Sequence, residues 1–114
     1  MRITNFIAAL YGLYGVAAGA AGAHVLKNLH SAEMVKTAAL YALIHAAVLI
    51  AYNAGGKTAM LVRWLFAAGV FLFCGPITAK YVFGLSWAGH AAPAGGILLM
   101  AGWALMAVNA VRRT

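Results

Sequence analysis

The chain alternates long apolar runs with short polar breaks, and this pattern predicts its architecture. Four runs carry enough apolar residues for a helix that crosses a hydrocarbon core, which takes about 20 residues. They lie at about residues 5–23, 32–53, 61–83 and 91–111. Because the breaks are brief, consecutive helices are antiparallel neighbours. The pattern predicts an all-α, integral membrane four-helix up-down bundle, with residues 1–114 forming a single transmembrane domain.

Two boundaries in this pattern need local arguments. The second apolar run is short when counted from Thr37. However, Ser31 is a suitable N-cap, and Glu33 then lies in the first turn, where the helix dipole favours an acid. The second helix is therefore predicted to begin near residue 32. Residues 84–90 are predicted to form a loop in which Trp87 anchors the chain at the membrane interface.

Composition supports the membrane assignment. Hydrophobic residues make up 66% of the chain and charged residues only 8%, whereas about a quarter of the residues of soluble domains are charged. A chain of this size has too little interior to hide so many apolar side chains from water. The net charge of +7 comes from eight Lys and Arg residues that are scattered almost singly. They form no basic stripe for a phosphate backbone, so no nucleic-acid partner is expected.

The positions of the charges predict an orientation in the membrane. An even number of spans places both termini on one side. That side carries more basic residues than the other, with Arg2, Lys57, Arg63, Arg112 and Arg113 against Lys27, Lys36 and Lys80. The positive-inside rule therefore predicts that both termini are cytoplasmic. The first run, at about 19 residues, is long for a signal peptide and is expected to be retained as a helix.

Small residues recur at helical spacing in the first and last spans. In the first span Ala8 and four glycines are spaced by four and three residues, so that they share one helix face. Small residues allow close helix approach in lipid, where packing drives association. An intramolecular packing face is the favoured interpretation, and a ligand groove or dimer contact is the alternative. The predicted packing glycines are Gly12, Gly15, Gly19, Gly22, Gly95, Gly96 and Gly102.

The second span carries the most distinctive polar residues, Tyr41 and His45, four positions apart. His45 lies near the middle of its span, and an ionisable residue at that depth suggests a functional site. The structural alternative is that a neutral imidazole bonds a backbone carbonyl of its own helix and fixes packing. A haem or metal site using His24 and His45 is a further hypothesis, although neither CxxCH nor HExxH occurs and Cys74 is the only cysteine.

Enzymatic chemistry is not predicted. Glu33 is the only acidic residue, so neither paired carboxylates nor a Ser-His-Asp arrangement is present. The four-helix drug exporters of similar length depend on an acid deep inside the membrane, whereas Glu33 is expected in the first turn of its helix, before the apolar run that starts at Thr37. We therefore predict a non-enzymatic protein without a bound cofactor or metal.

Several motifs together resemble the YgdD/YwdK-like family of small bacterial membrane proteins. The motifs are GAAGAH at 19–24, Tyr41-x-x-x-His45 and PAGGILLMAGW at 93–103. The resemblance covers nearly the whole chain and implies a four-helix protein of unknown function in the bacterial inner (cytoplasmic) membrane. The third span of that family usually carries a Ser-Gly-Ser-type stretch followed by a tyrosine, whereas this chain reads FCGPITAKY. No catalytic role comes with the matched residues.

The resemblance and the helix order suggest one candidate site. His24 ends the first helix, and Tyr41 and His45 lie on its antiparallel neighbour, so we expect a polar cluster of His24, Tyr41 and His45. Two function classes follow. The first is a non-enzymatic membrane protein that binds lipid or a membrane protein partner, or assembles as a homo-oligomer. The second is a protein that handles a cofactor or small solute through His24 and His45.

Overall fold

A computed structural model describes residues 2–112; Met1, Arg113 and Thr114, including the Arg113 used in the charge comparison, lie outside the described residues. Four α-helices follow one another, each long and apolar enough to cross a membrane. A short 3₁₀ helix precedes the last of them. The bounds are α1 Arg2–His24, α2 Leu29–Ala51, α3 Lys57–Tyr81, the 3₁₀ helix Ser86–Ala91 and α4 Ala92–Arg112.

Helix α2 begins earlier than the sequence pattern predicts. Asn28 is the N-cap, and its side chain accepts a hydrogen bond from the backbone N–H of Ser31 at 2.9 Å. Ser31 is therefore not the cap, and Glu33 lies beyond the first turn, where it contacts Lys36 at 3.3 Å. The prediction was wrong because Asn28 caps as well as serine does, and nothing in Leu29–Ser31 stops a helix. This shift centres α2 near Tyr41.

The segment before α4 is also more ordered than the predicted loop. Ser86–Ala91 forms a 3₁₀ helix that packs against the end of α3. Gly84, with φ of 76°, makes the turn that leads into it, and a left-handed backbone of this kind favours glycine. Trp87 projects from the 3₁₀ helix with 71% of its surface exposed. This exposed position suits an aromatic anchor at the membrane interface.

The four helices form two tightly packed hairpins. In the α1–α2 hairpin, a Cβ added at Gly22 would lie 3.1 Å from the carbonyl oxygen of Ala32, and one at Gly15 would lie 3.2 Å from that of Ala39. In the α3–α4 hairpin, a Cβ at Gly95 would lie 2.5 Å from the carbonyl carbon of Leu72. Glycine is thus required where the backbones approach, as expected for helices that pack in lipid.

The hairpins join through α2 and α3, and the bundle is open on one side. Within residues 2–112 no Cα of α4 lies within 8 Å of a Cα of α1 or α2. The core therefore sits along the α2–α3 contact. Its buried members include Ala38, Ala42, Leu49, Val62, Phe66 and Val70. The gap between α2 and α4, which we call the α2–α4 cleft, is spanned by side chains.

A buried arginine closes the end of the bundle that carries the termini. Arg63, only 2% exposed, donates to the carbonyl oxygens of Tyr52 at 2.9 Å and Ala54 at 2.7 Å. These carbonyls follow the C-terminus of α2, where the helix dipole favours a cation. The Tyr52 hydroxyl accepts a hydrogen bond from Asn109 at 2.8 Å. The network ties the α2–α3 turn to the last turns of α4.

Candidate functional site in the α2–α4 cleft

His45 is held by hydrogen bonds at both ring nitrogens. It is 5% exposed and belongs to α2. Its Nδ1 lies 2.7 Å from the carbonyl oxygen of Tyr41, and its Nε2 lies 3.0 Å from the indole Nε1 of Trp103 on α4. A carbonyl only accepts and an indole N–H only donates, so Nδ1 carries the proton and Nε2 accepts. This geometry fixes one neutral tautomer, and the predicted bond from His45 to a carbonyl of its own helix is confirmed.

Aromatic rings surround this hydrogen-bonded pair. The ring of Phe66 on α3 lies 5.3 Å from that of His45 and 5.1 Å from that of Trp103, so the three rings contact one another. The ring of Tyr41 stacks on that of Phe73 at 4.8 Å. Edge and offset contacts at these separations are favourable for aromatic groups. Side chains of three helices thus build a rigid wall where α2 and α4 stand apart.

The inner half of the α2–α4 cleft is a cavity of about 380 Å³. Tyr41, His45 and Trp103 supply its polar atoms, and Leu99 and Met100 supply much of its apolar wall. Tyr41 is 38% exposed, and no hydrogen bond from its hydroxyl to another of residues 2–112 is seen. A hydroxyl beside an apolar cavity gives a bound molecule one polar contact among many apolar ones.

The outer half of the cleft is a second cavity, of about 300 Å³, near the membrane face opposite the termini. Met34 and Ile77 contribute apolar walls, and Lys80 contributes the charge. Phe73 lines both cavities and separates them. The two cavities are therefore consecutive parts of one cleft along α3.

His24 does not belong to this site, and the expected His24–Tyr41–His45 cluster is wrong in this respect. His24 is exposed at the end of α1, where the neighbouring Gly22 packs against Ala32 of α2. Tyr41 lies nine residues further along α2, which corresponds to about 13 Å. The prediction failed because it placed Tyr41 near the membrane face at which His24 ends α1, whereas Tyr41 lies near the middle of α2. His45 lies thirteen residues beyond Ala32, about 20 Å along α2, so His24 and His45 do not face one haem iron.

A metal site has no support from the side chains either. Across residues 2–112, no group of three or more His, Cys, Asp or Glu residues is placed to hold a metal ion. Both nitrogens of His45 are already in hydrogen bonds. Ligation by His45 would require the loss of the Trp103 contact.

The predicted packing glycines divide into two groups. At Gly15, Gly22, Gly95 and Gly102 an added Cβ would overlap a neighbouring helix. Gly12 faces open space, Gly19 is in ordinary contact with Ala39, and a Cβ at Gly96 would approach only the Phe73 ring, at 4.0 Å. The intramolecular packing role predicted for Gly12 is therefore wrong, because the heptad face is wider than the strip that α2 covers. Gly96 lies in the wall of the inner cavity.

Three residues of the cleft were not predicted as site residues. Trp103 lies in a recognised motif, but its partnership with His45 joins residues 58 positions apart. Phe73 resembles any other apolar residue of α3 in the sequence. Lys80 was considered only among the basic residues of one membrane side, and its position beside a cavity depends on the 3₁₀ helix that packs over it.

Four long apolar helices joined by short connections define a small multi-pass membrane protein, and comparison with known proteins identifies its family. Residues 18–96 match the family described as protein of unknown function (DUF423). The chain belongs to this family.

Curated relatives agree with that assignment. The chain is 34% identical to the UPF0382 inner membrane protein YgdD of Escherichia coli (strain K12), over 97% of this chain and 91% of the relative. It is 28% identical to a UPF0382 membrane protein of Staphylococcus saprophyticus, over 96% and 97% of the two chains. No solved structure matches the chain. The resemblance to YgdD-like proteins is confirmed, and the helices of this membrane protein contact the lipid bilayer.

Proposed function

We propose that this protein is a non-enzymatic lipid-binding membrane protein that holds one lipid chain in the α2–α4 cleft. The observation that carries the proposal is the cleft itself, where two helices stand apart over a wall of fixed aromatic side chains. The inner cavity is largely apolar and has about 380 Å³ of space, within the roughly 300–1,000 Å³ typical of ligand sites. Residues 1–114 act as one transmembrane domain in this proposal.

The polar atoms of the inner cavity suit a molecule that is mostly hydrocarbon. The indole N–H of Trp103 already donates to His45 Nε2, so these two side chains present ring faces and edges to a ligand. The Tyr41 hydroxyl is the group in this half of the cleft that has a hydrogen bond to offer. An apolar chain gains contacts with these rings and covers one polar group in this half of the cleft, the half-exposed Tyr41 hydroxyl, whereas a strongly polar solute would lose hydration over its whole surface.

Another groove competes with the cleft for a lipid chain. The α1–α3 groove is larger, at about 460 Å³, and is lined by Tyr11, Tyr14 and Cys74. Its hydroxyls are already used: Tyr11 donates to the carbonyl of Ala67, and Tyr14 is hydrogen-bonded to Thr78. This groove carries no charge at either end. It accommodates bulk lipid without selecting it, so the α2–α4 cleft is the better site.

The orientation predicted from the charges completes the proposal. With both termini cytoplasmic, the Lys80 end of the cleft faces the outer side of the bacterial inner membrane. The positive-inside bias supports this orientation. A reporter that is active only outside the cytoplasm, fused to the C-terminus, is expected to be inactive.

The function is tested by filling the cleft and counting bound lipid. Native mass spectrometry of the protein in mild detergent is expected to show one retained lipid. Gly96→Leu is expected to lose it, because the new side chain enters the inner cavity. Gly12→Leu is the matched control, since no atom lies within 4 Å of a Cβ added there.

Two results would contradict the proposal. One is a wild-type chain that carries no lipid under conditions that preserve its helicity. The other is equal lipid retention by Gly96→Leu and Gly12→Leu. Lipid-free protein that runs as a dimer or with a copurified membrane protein would favour assembly as the function instead.

A further inference from the structure

Lys80 is held at the outer end of the cleft by the 3₁₀ helix. Its side chain passes beside Gly89, where an added Cβ would lie 2.8 Å from Lys80 Cδ and 3.3 Å from Nζ. The Nζ atom lies 5.1 Å from the centre of the Tyr81 ring, within cation–π range. The Tyr81 hydroxyl in turn lies 3.4 Å from His30 Nε2. These contacts restrict a side chain that would otherwise extend freely towards water.

The charge of Lys80 has no anionic partner within the described part of the chain. Glu33 is the only acidic side chain in the sequence, and it contacts Lys36 at the surface. The ammonium group of Lys80 therefore faces the outer cavity with a cation–π contact and no carboxylate among residues 2–112. An anion bound in the outer cavity would neutralise the partly buried ammonium group of Lys80.

The position of Lys80 matches the length of a lipid tail. Phe73, which lines both cavities, lies seven residues before Lys80 on α3, or about 10 Å along the helix. Half of a hydrocarbon core is about 15 Å. A lipid whose headgroup is at Lys80 can therefore extend its tail past Phe73 to the inner cavity.

Resting on the proposed function, we infer that the occupant of the cleft is an anionic amphiphile whose carboxylate or phosphate binds Lys80 and whose chain lies against Trp103. The cavities on either side of Phe73 hold successive parts of the chain. The shared chemistry is a single anionic headgroup on a hydrocarbon tail, supplied by a free fatty acid or by an acidic phospholipid.

The groove at the other end of the molecule does not offer the same arrangement. This groove has a larger volume, about 840 Å³, and lies between the N-terminal ends of α1 and α3. Arg2 at its rim is exposed, whereas Lys80 is half-buried and packed against two neighbours. Only Lys80, of these two basic residues, is both half-buried at the end of a cavity and held in place by neighbouring side chains.

The test uses Trp103 as a reporter for the tail and the headgroup charge as the variable. In the full chain with Trp64→Phe and Trp87→Phe, Trp103 is the only tryptophan. Its fluorescence is titrated with dibromostearic acid and with the methyl ester of that acid, which has the same tail without the charge. A parallel pair uses dibrominated phosphatidylglycerol and phosphatidylcholine, so that the carboxylate and phosphate sources are distinguished.

The expected result is saturable quenching in which the anionic member of one pair binds about five- to tenfold more tightly than its neutral partner. A ratio of this size corresponds to one charge-assisted contact at a partly exposed site. Lys80→Gln removes this preference, and Lys80→Arg keeps it. Lys27→Gln, an exposed lysine on the same membrane face, leaves it unchanged. Unchanged helicity of each variant confirms that it is folded.

The outcomes separate this inference from the proposed function. Equal affinity for the charged and neutral members, or equal loss in Lys80→Gln and Lys27→Gln, overturns the inference while the cleft still binds a chain. Absence of saturable quenching by all four probes overturns the proposed function as well. A preference for the acid alone identifies a fatty acid, and a preference for phosphatidylglycerol alone identifies a phospholipid.

Discussion

The two hairpin seams and the α2–α4 cleft follow opposite packing rules. In the seams glycine brings backbones together, as at Gly95 against Leu72 and Gly15 against Ala39. In the cleft the backbones stand apart, and the aromatic pair His45–Trp103 spans the distance. In lipid there is little hydrophobic force to close such a gap, so close contact needs small residues. The seams therefore hold the hairpins together, and the cleft is the part of the bundle that the proposed function uses as binding space.

The largest expected effect comes from one glycine of the α3–α4 seam. Gly95→Ala places a Cβ into the backbone of α3 at Leu72, and rigid backbone cannot move aside. We expect a loss of about 3 kcal/mol in the free energy of unfolding. Gly96→Ala, one residue away, approaches only the Phe73 ring at 4.0 Å and is expected to be nearly neutral. Equal effects in an unfolding titration in mixed micelles would contradict the contrast.

The arginine network at the terminal end has the next largest effect. Arg63→Met removes the donors to the Tyr52 and Ala54 carbonyls. Leaving those half-buried acceptors without partners is expected to cost about 2 kcal/mol. The control is Lys57→Met, at the exposed start of the same helix. A smaller loss for Arg63→Met than for Lys57→Met in the same titration would show that the network is dispensable.

A smaller effect is expected in the α1–α2 seam. A Cβ at Gly15 meets Leu43 Cγ at 2.5 Å and the Ala39 carbonyl oxygen at 3.2 Å, so the Leu43 side chain must change its rotamer while the backbone of α2 gives by only a few tenths of an ångström. Gly15→Ala should therefore destabilise by about 1 kcal/mol. Gly12→Ala faces open space and should be neutral or slightly stabilising, because alanine favours helix. The order of the two melting temperatures in detergent checks this prediction.

The smallest effect concerns the hydrogen bond across the cleft. Trp103→Phe keeps a ring beside Phe66 but removes the donor to His45 Nε2. Interhelical hydrogen bonds in membranes contribute about 0.6 kcal/mol on average, and a loss of that size is expected. Trp64→Phe, on the exposed face of α3, serves as control. A loss above that of Gly15→Ala would mean that the cleft is a structural seam and not a binding space.

The sequence was sufficient for the fold and only partly for the site. Apolar run lengths gave four helices within a few residues of their observed ends, because membrane thickness constrains them. The spacing of Tyr41 and His45 indicated their shared helix face. The pairing of His45 with Trp103 and the place of Lys80 beside a cavity depend on how the two hairpins dock, which no local pattern encodes. The expected contact between His24 and Tyr41 was wrong because His24 ends α1 at the membrane face, whereas Tyr41 lies near the middle of α2.

Photo-crosslinking shows whether the α2–α4 cleft holds a lipid chain. A fatty acid with a diazirine at the end of its tail is activated in the presence of the full chain, and the modified residues are located by tandem mass spectrometry. If the tail lies in the inner cavity, adducts are expected to concentrate on Met100 and Trp103. Adducts distributed evenly over lipid-facing residues such as Leu13 and Phe71 would contradict it.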